Sequence, residues 1–363
     1  MSALSGVFTD QNESGGFAPT YYPGTASPAS AQRVRVDYGS EVTGLVMELV
    51  PAKSARVSGR VEDDKGQPVA GANLILAYSD RLGISDFVVA RAVAGPGGAF
   101  TLRNVPPGQY TLQGFGRPPA GGPQNLNAGA FGWLIVPVSG ADVSDLVLQV
   151  TPGTALRGRI VLAESNGPPL RPNDVVIATV PIEFDSSPVA GGPSPSVRRD
   201  DWTFEVSGQS GQRLIRVSTR SPAWMLDRVT LDGRDVTDTA VDFRKTDVND
   251  VEVILTSRVS SLSGRVTTDD GEPAAEYSVI LFAADERRWT DRSRFVHTAR
   301  PSQDGRYALP GVPPGDYLAV ALPYVQGLEW SDPEFLAGLR TAATPVTIAQ
   351  GEAATLDLRR SSR

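Results

Sequence analysis

Two distant stretches of the chain are near copies of each other: GAFTLRNVPPGQYTLQG from Gly98 to Gly114, and DGRYALPGVPPGDYLAV from Asp304 to Val320. In each copy an aromatic residue and a leucine alternate, Phe100 with Leu102 and Tyr307 with Leu309, as in a half-buried strand. Val-Pro-Pro-Gly follows, then Tyr110 or Tyr317. Proline presets φ, and Gly108 and Gly315 are expected to take the positive φ of a type II turn. The motif reads as strand, stiff corner, strand. Its recurrence so far along the chain means that a whole folding unit is repeated.

Other marks give the period. VSGRV at Val57 to Val61, LRGRI at Leu156 to Ile160 and LSGRV at Leu262 to Val266 each place a glycine between apolar residues of one strand face. Gly59, Gly158 and Gly264 stand 99 and 106 positions apart, about the size of one β-sandwich. In the first and third units a polar turn leads to a second apolar strand, EDDKGQPVAGANLIL against TTDDGEPAAEYSVIL. The middle unit is more diverged, with DWTFEV in place of GAFTL and SGQSGQRLIRV in place of Pro-Pro-Gly.

Closing strands VSDLVLQVTPG (Val143 to Gly153) and VNDVEVILT (Val248 to Thr256) run almost directly into the next opening strand. Such short joins favour an end-to-end series. GSEVTGLVMELV, Gly39 to Val50, resembles a closing element with no opening strand ahead of it. The expected division is therefore 1–53, the C-terminal remnant of a preceding β-sandwich; 54–153; a diverged sandwich at 154–258; and 259–363. The chain is expected to be part of a longer protein.

Composition agrees with an all-β fold of tandem sandwiches, since 37 glycines and 29 prolines favour short strands and turns. A net charge of −7 without a basic block gives no footprint for nucleic acid. No apolar run reaches the ~20 residues of a membrane span, so no insertion by this segment is expected, and the N-terminal stretch does not read as an export signal. Cysteine is absent, which excludes thiol chemistry and disulfides.

The SGRV openings and the VPPGxY motifs together resemble the carboxypeptidase regulatory-like domain, a transthyretin-like, Ig-like β-sandwich. PTYYPGT, LDGRDVTD and DPEFLAGLR are similar to segments of large bacterial envelope proteins built from such domains in series. The resemblance implies a non-enzymatic spacer or binding module, periplasmic, at the cell surface or secreted, with polysaccharide or an envelope protein as partner. The alternative is a carbohydrate-binding module appended to a secreted hydrolase. Zinc carboxypeptidase chemistry needs two histidines and a glutamate, and this chain has one histidine, so the accessory domain is implied without the catalytic one. No cofactor is expected.

His297, in the alternating SRFVHTAR, is expected on a surface or edge strand, with no nucleophile motif to serve. Asp63–Asp64, Asp200–Asp201 and Asp269–Asp270 suit turn chemistry. Asp232, Asp235 and Asp238 recur every third residue and leave calcium open, although a calcium loop concentrates more oxygen ligands. Lys53, Lys65 and Lys245 are placed outside predicted core strands, which argues against isopeptide cross-links. Among five tryptophans, Trp202 and Trp224 are expected in the middle core, whereas Trp289 and Trp330 lie in polar stretches and are the candidates for stacking on sugar. SDPEFLAGLR is the one expected helix, capped by Ser331 or Asp332, with Phe335, Leu336 and Leu339 as its apolar stripe.

Overall fold

The computed structural model describes residues 16–17, 20–25, 30–36, 41–79, 88–116, 130–182, 196–290, 293–323, 325 and 329–360. Near the start, β1 (Gly16–Phe17) pairs antiparallel with β2 (Pro51–Ala52). The first sandwich follows: β3 (Ala55–Glu62), β4 (Asn73–Tyr78), β5 (Val88–Val93), β6 (Ala99–Val105), β7 (Gly108–Phe115), β8 (Phe131–Val138) and β9 (Val143–Gln149). One sheet has the order β6-β3-β9 and the other β5-β4-β7-β8. Between them lie Val57, Val61, Leu74, Leu76, Phe100, Leu102, Leu112 and Leu148, the inward members of period-two strands.

The second sandwich comprises β10 (Thr154–Leu162), β11 (Val175–Pro181), β12 (Ser196–Arg198), β13 (Thr203–Gln209), β14 (Gln212–Thr219), β15 (Met225–Leu231), β16 (Arg234–Asp235), β17 (Val241–Asp242) and β18 (Val248–Thr256). Its central trio β13-β10-β18 repeats β6-β3-β9, but the sheet is widened to β12-β13-β10-β18-β15-β16 and faces the smaller β11-β14-β17. The third comprises β19 (Ser261–Thr267), β20 (Ser278–Ala283), β21 (Val296–Ala299), β22 (Arg306–Pro310), β23 (Gly315–Leu322), α1 (Pro333–Leu339), β24 (Thr344–Ile348), β25 (Ala353–Thr355) and β26 (Leu358–Arg359). It returns to the first plan, with β22-β19-β25 (β26 also pairing β19) against β21-β20-β23-β24. Each sandwich has its own hydrophobic cluster, and only residues 150–153 and 257–260 separate the closing strand of one from the opening strand of the next.

The repeated opening glycine has a steric cause. Opening and closing strands run parallel, and the register steps from Val57↔Val143 to Gly59↔Leu146, and from Leu156↔Val248 to Gly158↔Val251. The extra residue on the closing strand is Asp145 (φ +58°) or Asp250 (φ +59°), a β-bulge. In all three sandwiches a carbonyl of the opposite strand fills the space: a Cβ on Gly59, Gly158 or Gly264 would stand 2.1, 2.0 or 1.8 Å from the oxygen of Leu146, Val251 or Leu356, the last in a pairing that keeps its register without a bulge. Only glycine fits there.

The corner differs from expectation in its backbone. Gly108 does not adopt a positive φ, and Gly315 sits at +156°, close to extended. The turn is instead held by the tyrosine: Tyr110 Oη donates to Pro106 O and Tyr317 Oη to Pro313 O, both at 2.7 Å. This is a tyrosine corner, which ties a strand back to the chain a few residues upstream. Glycine suits position 108 because a Cβ would meet the Tyr110 ring and hydroxyl at 3.0–3.3 Å, a tight contact. In the second sandwich the tyrosine is absent, and Ser210-Gly211 makes the turn between β13 and β14, with Gly211 at φ +71°.

Candidate functional site

The two tryptophans singled out for sugar binding part company. Trp289 follows a single helical turn capped by Asp285, whose carboxylate accepts from Arg287 N at 3.1 Å. Its indole turns inward, donates from Nε1 to Ala283 O at 2.7 Å and meets the Phe282 ring edge-on at 5.5 Å. At 4% exposure it belongs to the third core, and the Arg340 guanidinium lies over its ring at 5.8 Å. Trp289 therefore offers no free face for stacking, which corrects the sequence-based expectation. The polar run ERRWTDR concealed an inward turn made by the Asp285 cap.

Trp330 is half-buried and packs against the edge of the same cluster, in the turn Glu329–Ser331 that leads into α1. The helix forms as expected: Asp332 caps it by accepting from Glu334 N at 2.9 Å, Pro333 occupies the first turn, and Leu336 and Leu339 are buried. Arg340 also reaches Glu286 in an ion pair, fastening the end of the helix to the turn before Trp289.

The acidic loop is spent on structure. Asp232 takes φ +51° in the β15-β16 turn, and Asp235 accepts from Thr237 N at 2.9 Å and from its hydroxyl at 2.5 Å. Asp238 receives Arg294 Nε on both oxygens at 3.0 Å, joining the second sandwich to the third, with Arg216 at 3.9 Å. Among the described residues no group of three acidic or imidazole side chains is placed to hold a metal ion. The paired acids behave likewise: Asp63 Oδ1 accepts from the amides of Lys65 and Gln67, Asp201 from Thr203, and Asp269 pairs with Arg360. Lys53, Lys65 and Lys245 are all exposed.

His297 lies on β21, an edge strand. Its Nε2 is enclosed without a hydrogen-bond partner, and burial lowers its pKa, opposed in part by a hydrogen bond to the Arg294 backbone. It is held neutral. Trp224 fills the second core, with Nε1 donating to Pro168 O at 3.0 Å, while Trp202 packs at its margin.

An open groove of about 570 Å³ crosses the outer face of the second sandwich beside Gly158. Sequence reasoning missed it, because its walls come from three strands and one bulge. Arg157, Arg159 and Arg199 line it, yet each meets a carboxylate: Asp247 at 2.6 Å and Glu205 at 3.4 Å for Arg157, Glu252 for Arg159, and Glu205 at 3.7 Å for Arg199. The Arg157 guanidinium holds Asp247 below the usual carboxylate range. Each arginine of the groove is therefore already met by a carboxylate of the same sandwich.

The architecture defines a class by fold, an all-β chain of β-sandwiches. Residues 56–114 match the family model of the carboxypeptidase regulatory-like domain. No curated protein matches the chain. Among solved structures, it is similar to the Bacillus anthracis TIE protein (10% identity, TM-score 0.21, 85% of this chain and 50% of that one). It is similar also to a streptococcal ancillary pilin (12% identity, TM-score 0.23, 85% and 100%) and to a candidate carbohydrate binding protein from Pseudomonas aeruginosa (14% identity, TM-score 0.21, 27% and 89%). The chain spans half the length of the TIE protein.

Proposed function

We propose that the chain is a non-enzymatic series of β-sandwich domains, a spacer or binding module of a bacterial envelope or secreted protein. The domains are 54–153, a diverged 154–258 and 259–363, preceded at 1–53 by the C-terminal part of another sandwich. The observation that carries this reading is the duplicated build of the first and third sandwiches. Sheet order, opening glycine and tyrosine corner recur, with a separate core each time. A chain that repeats its scaffold while investing its acids in turns and ion pairs is organised to set distance and orientation.

The second reading, a carbohydrate-binding module, is favoured by Trp330, whose ring stays half-exposed at the start of α1. A glycan array with the full chain separates the two. A spacer binds nothing, whereas a module retains one sugar class and loses it, at least about tenfold, in Trp330→Ala.

A further inference from the structure

The middle sandwich departs from its neighbours at one end of its core. In the first and third sandwiches that end is built from Val105 with Tyr110 and from Val312 with Tyr317, all buried. In the second, Gln209 takes the place of Val105, since Gly158↔Phe204 and Thr154↔Gln209 repeat the register Gly59↔Phe100 and Ala55↔Val105. Arg213 takes the place of the tyrosine. It shares the inward face of β14 with Ile215 and Val217. Its Nη1 donates at 3.3 Å to the carbonyl of Ser210, the residue after Gln209, as Tyr110 donates to that of Pro106, the residue after Val105.

A guanidinium is a demanding substitute for a phenol, because its charge must be met where water is excluded. Arg213 is only 9% exposed. Its Nε donates to Thr179 Oγ1 at 2.8 Å, Thr179 donates to Gln209 Oε1, and Gln209 Nε2 donates to Ser207 O at 2.6 Å. All of these partners are neutral. Among the described residues no carboxylate pairs with Arg213, whereas each arginine of the outer groove meets one. Burial accordingly pushes its pKa down, to about 10. Nη2 has no partner among the described residues, and it is not one of the sealed side-chain nitrogens, which are Arg198 Nε, Arg216 Nε and His297 Nε2. The neutral network therefore fixes the guanidinium and leaves its charge and one donor group for something else.

We propose that Arg213 is the base of a carboxylate-binding site at this end of the second sandwich, with Nη2 as the donor that meets the ligand. A carboxylate suits the site better than a phosphate. One guanidinium supplies one positive charge, and no second cation joins Thr179, Gln209 and Ser210 in the network among the described residues. The carboxylate can come from an acidic sugar or from a free organic acid. A spacer and a binding module could each carry such a site, so the inference rests on neither reading.

The test titrates the full chain with acetate and with galacturonate at constant ionic strength, with chloride and uncharged galactose as references. The Nε–H signal of Arg213 and the backbone amides of 209–214 are followed by NMR. Both carboxylates should shift these signals saturably, and the references should not. Galacturonate binding at least about tenfold tighter than acetate assigns the source to an acidic sugar, and equal affinities assign it to the carboxylate alone; both outcomes support the site. Arg213→Tyr restores the corner of the neighbouring sandwiches, so it should fold with an unchanged circular dichroism spectrum and lose the saturable amide shifts. Arg213→Lys keeps the charge without the planar fork and should bind at least about tenfold more weakly. The proposal is overturned by the absence of a saturable shift, by an equal shift with chloride, or by inorganic phosphate binding more tightly than acetate. Carboxylate binding retained in Arg213→Tyr, or undiminished in Arg213→Lys, overturns it as well.

Discussion

At the scale of single residues, stability in this chain depends on a few atoms that have no room to move. A Cβ at Gly59 would stand 2.1 Å from Leu146 O, and Gly59 lies on β3, the central strand of its sheet. Gly59→Ala should cost about 3 kcal/mol or more, the upper end for overpacking, whereas Gly66→Ala, in an open turn, should cost only about 1 kcal/mol from its positive φ. Chemical denaturation of the two variants checks this contrast, and similar losses would mean that the bulge can relax. His297 gives a pH signature, since it is the chain's only histidine. Its folded pKa lies below the ordinary 6.5, so the unfolded chain takes up the proton first. Its contribution is complete above pH 6.5 and is lost progressively as pH falls below that value. His297→Gln should flatten the decline in melting temperature between pH 7.5 and 5; an unchanged slope would assign the decline to other groups.

At the scale of elements, α1 is a seven-residue helix whose stability comes from packing more than from length. Leu336 is fully buried beneath it, and Leu336→Ala should destabilise the third sandwich by about 2–5 kcal/mol. The first sandwich should be unaffected, because its core shares no residue with the third. Residue-resolved hydrogen exchange separates the two, and a loss of protection in both would contradict separate cores. The helix, its Asp332 cap and the strand-corner-strand motif were legible in the sequence, because each depends on local periodicity and on residues with fixed φ preferences. The tyrosine corner was not, since a hydroxyl reaching the carbonyl of Pro106 or Pro313 depends on how the chain folds back. Nor was the inward turn of Trp289, where one cap outweighs a run of charged neighbours. The change of sheet by β12, which joins β13 where β5 joins β4, has no signature in composition or period.

At the scale of the whole molecule, the joins determine what the chain can do. Glu164 fastens the second join by accepting from Ser257 N at 2.7 Å and Thr256 Oγ1 at 2.8 Å, and the bidentate Asp238–Arg294 contact lies between the same two sandwiches. Short joins of this kind limit folding back and favour a series with restricted bending. Small-angle X-ray scattering of the full chain tests this claim most directly. A compact globule of 363 residues would have a radius of gyration of about 21 Å. The account predicts a clearly larger value with an asymmetric distance distribution; a value near 21 Å with a symmetric distribution would contradict the spacer reading and turn attention to a cleft between sandwiches.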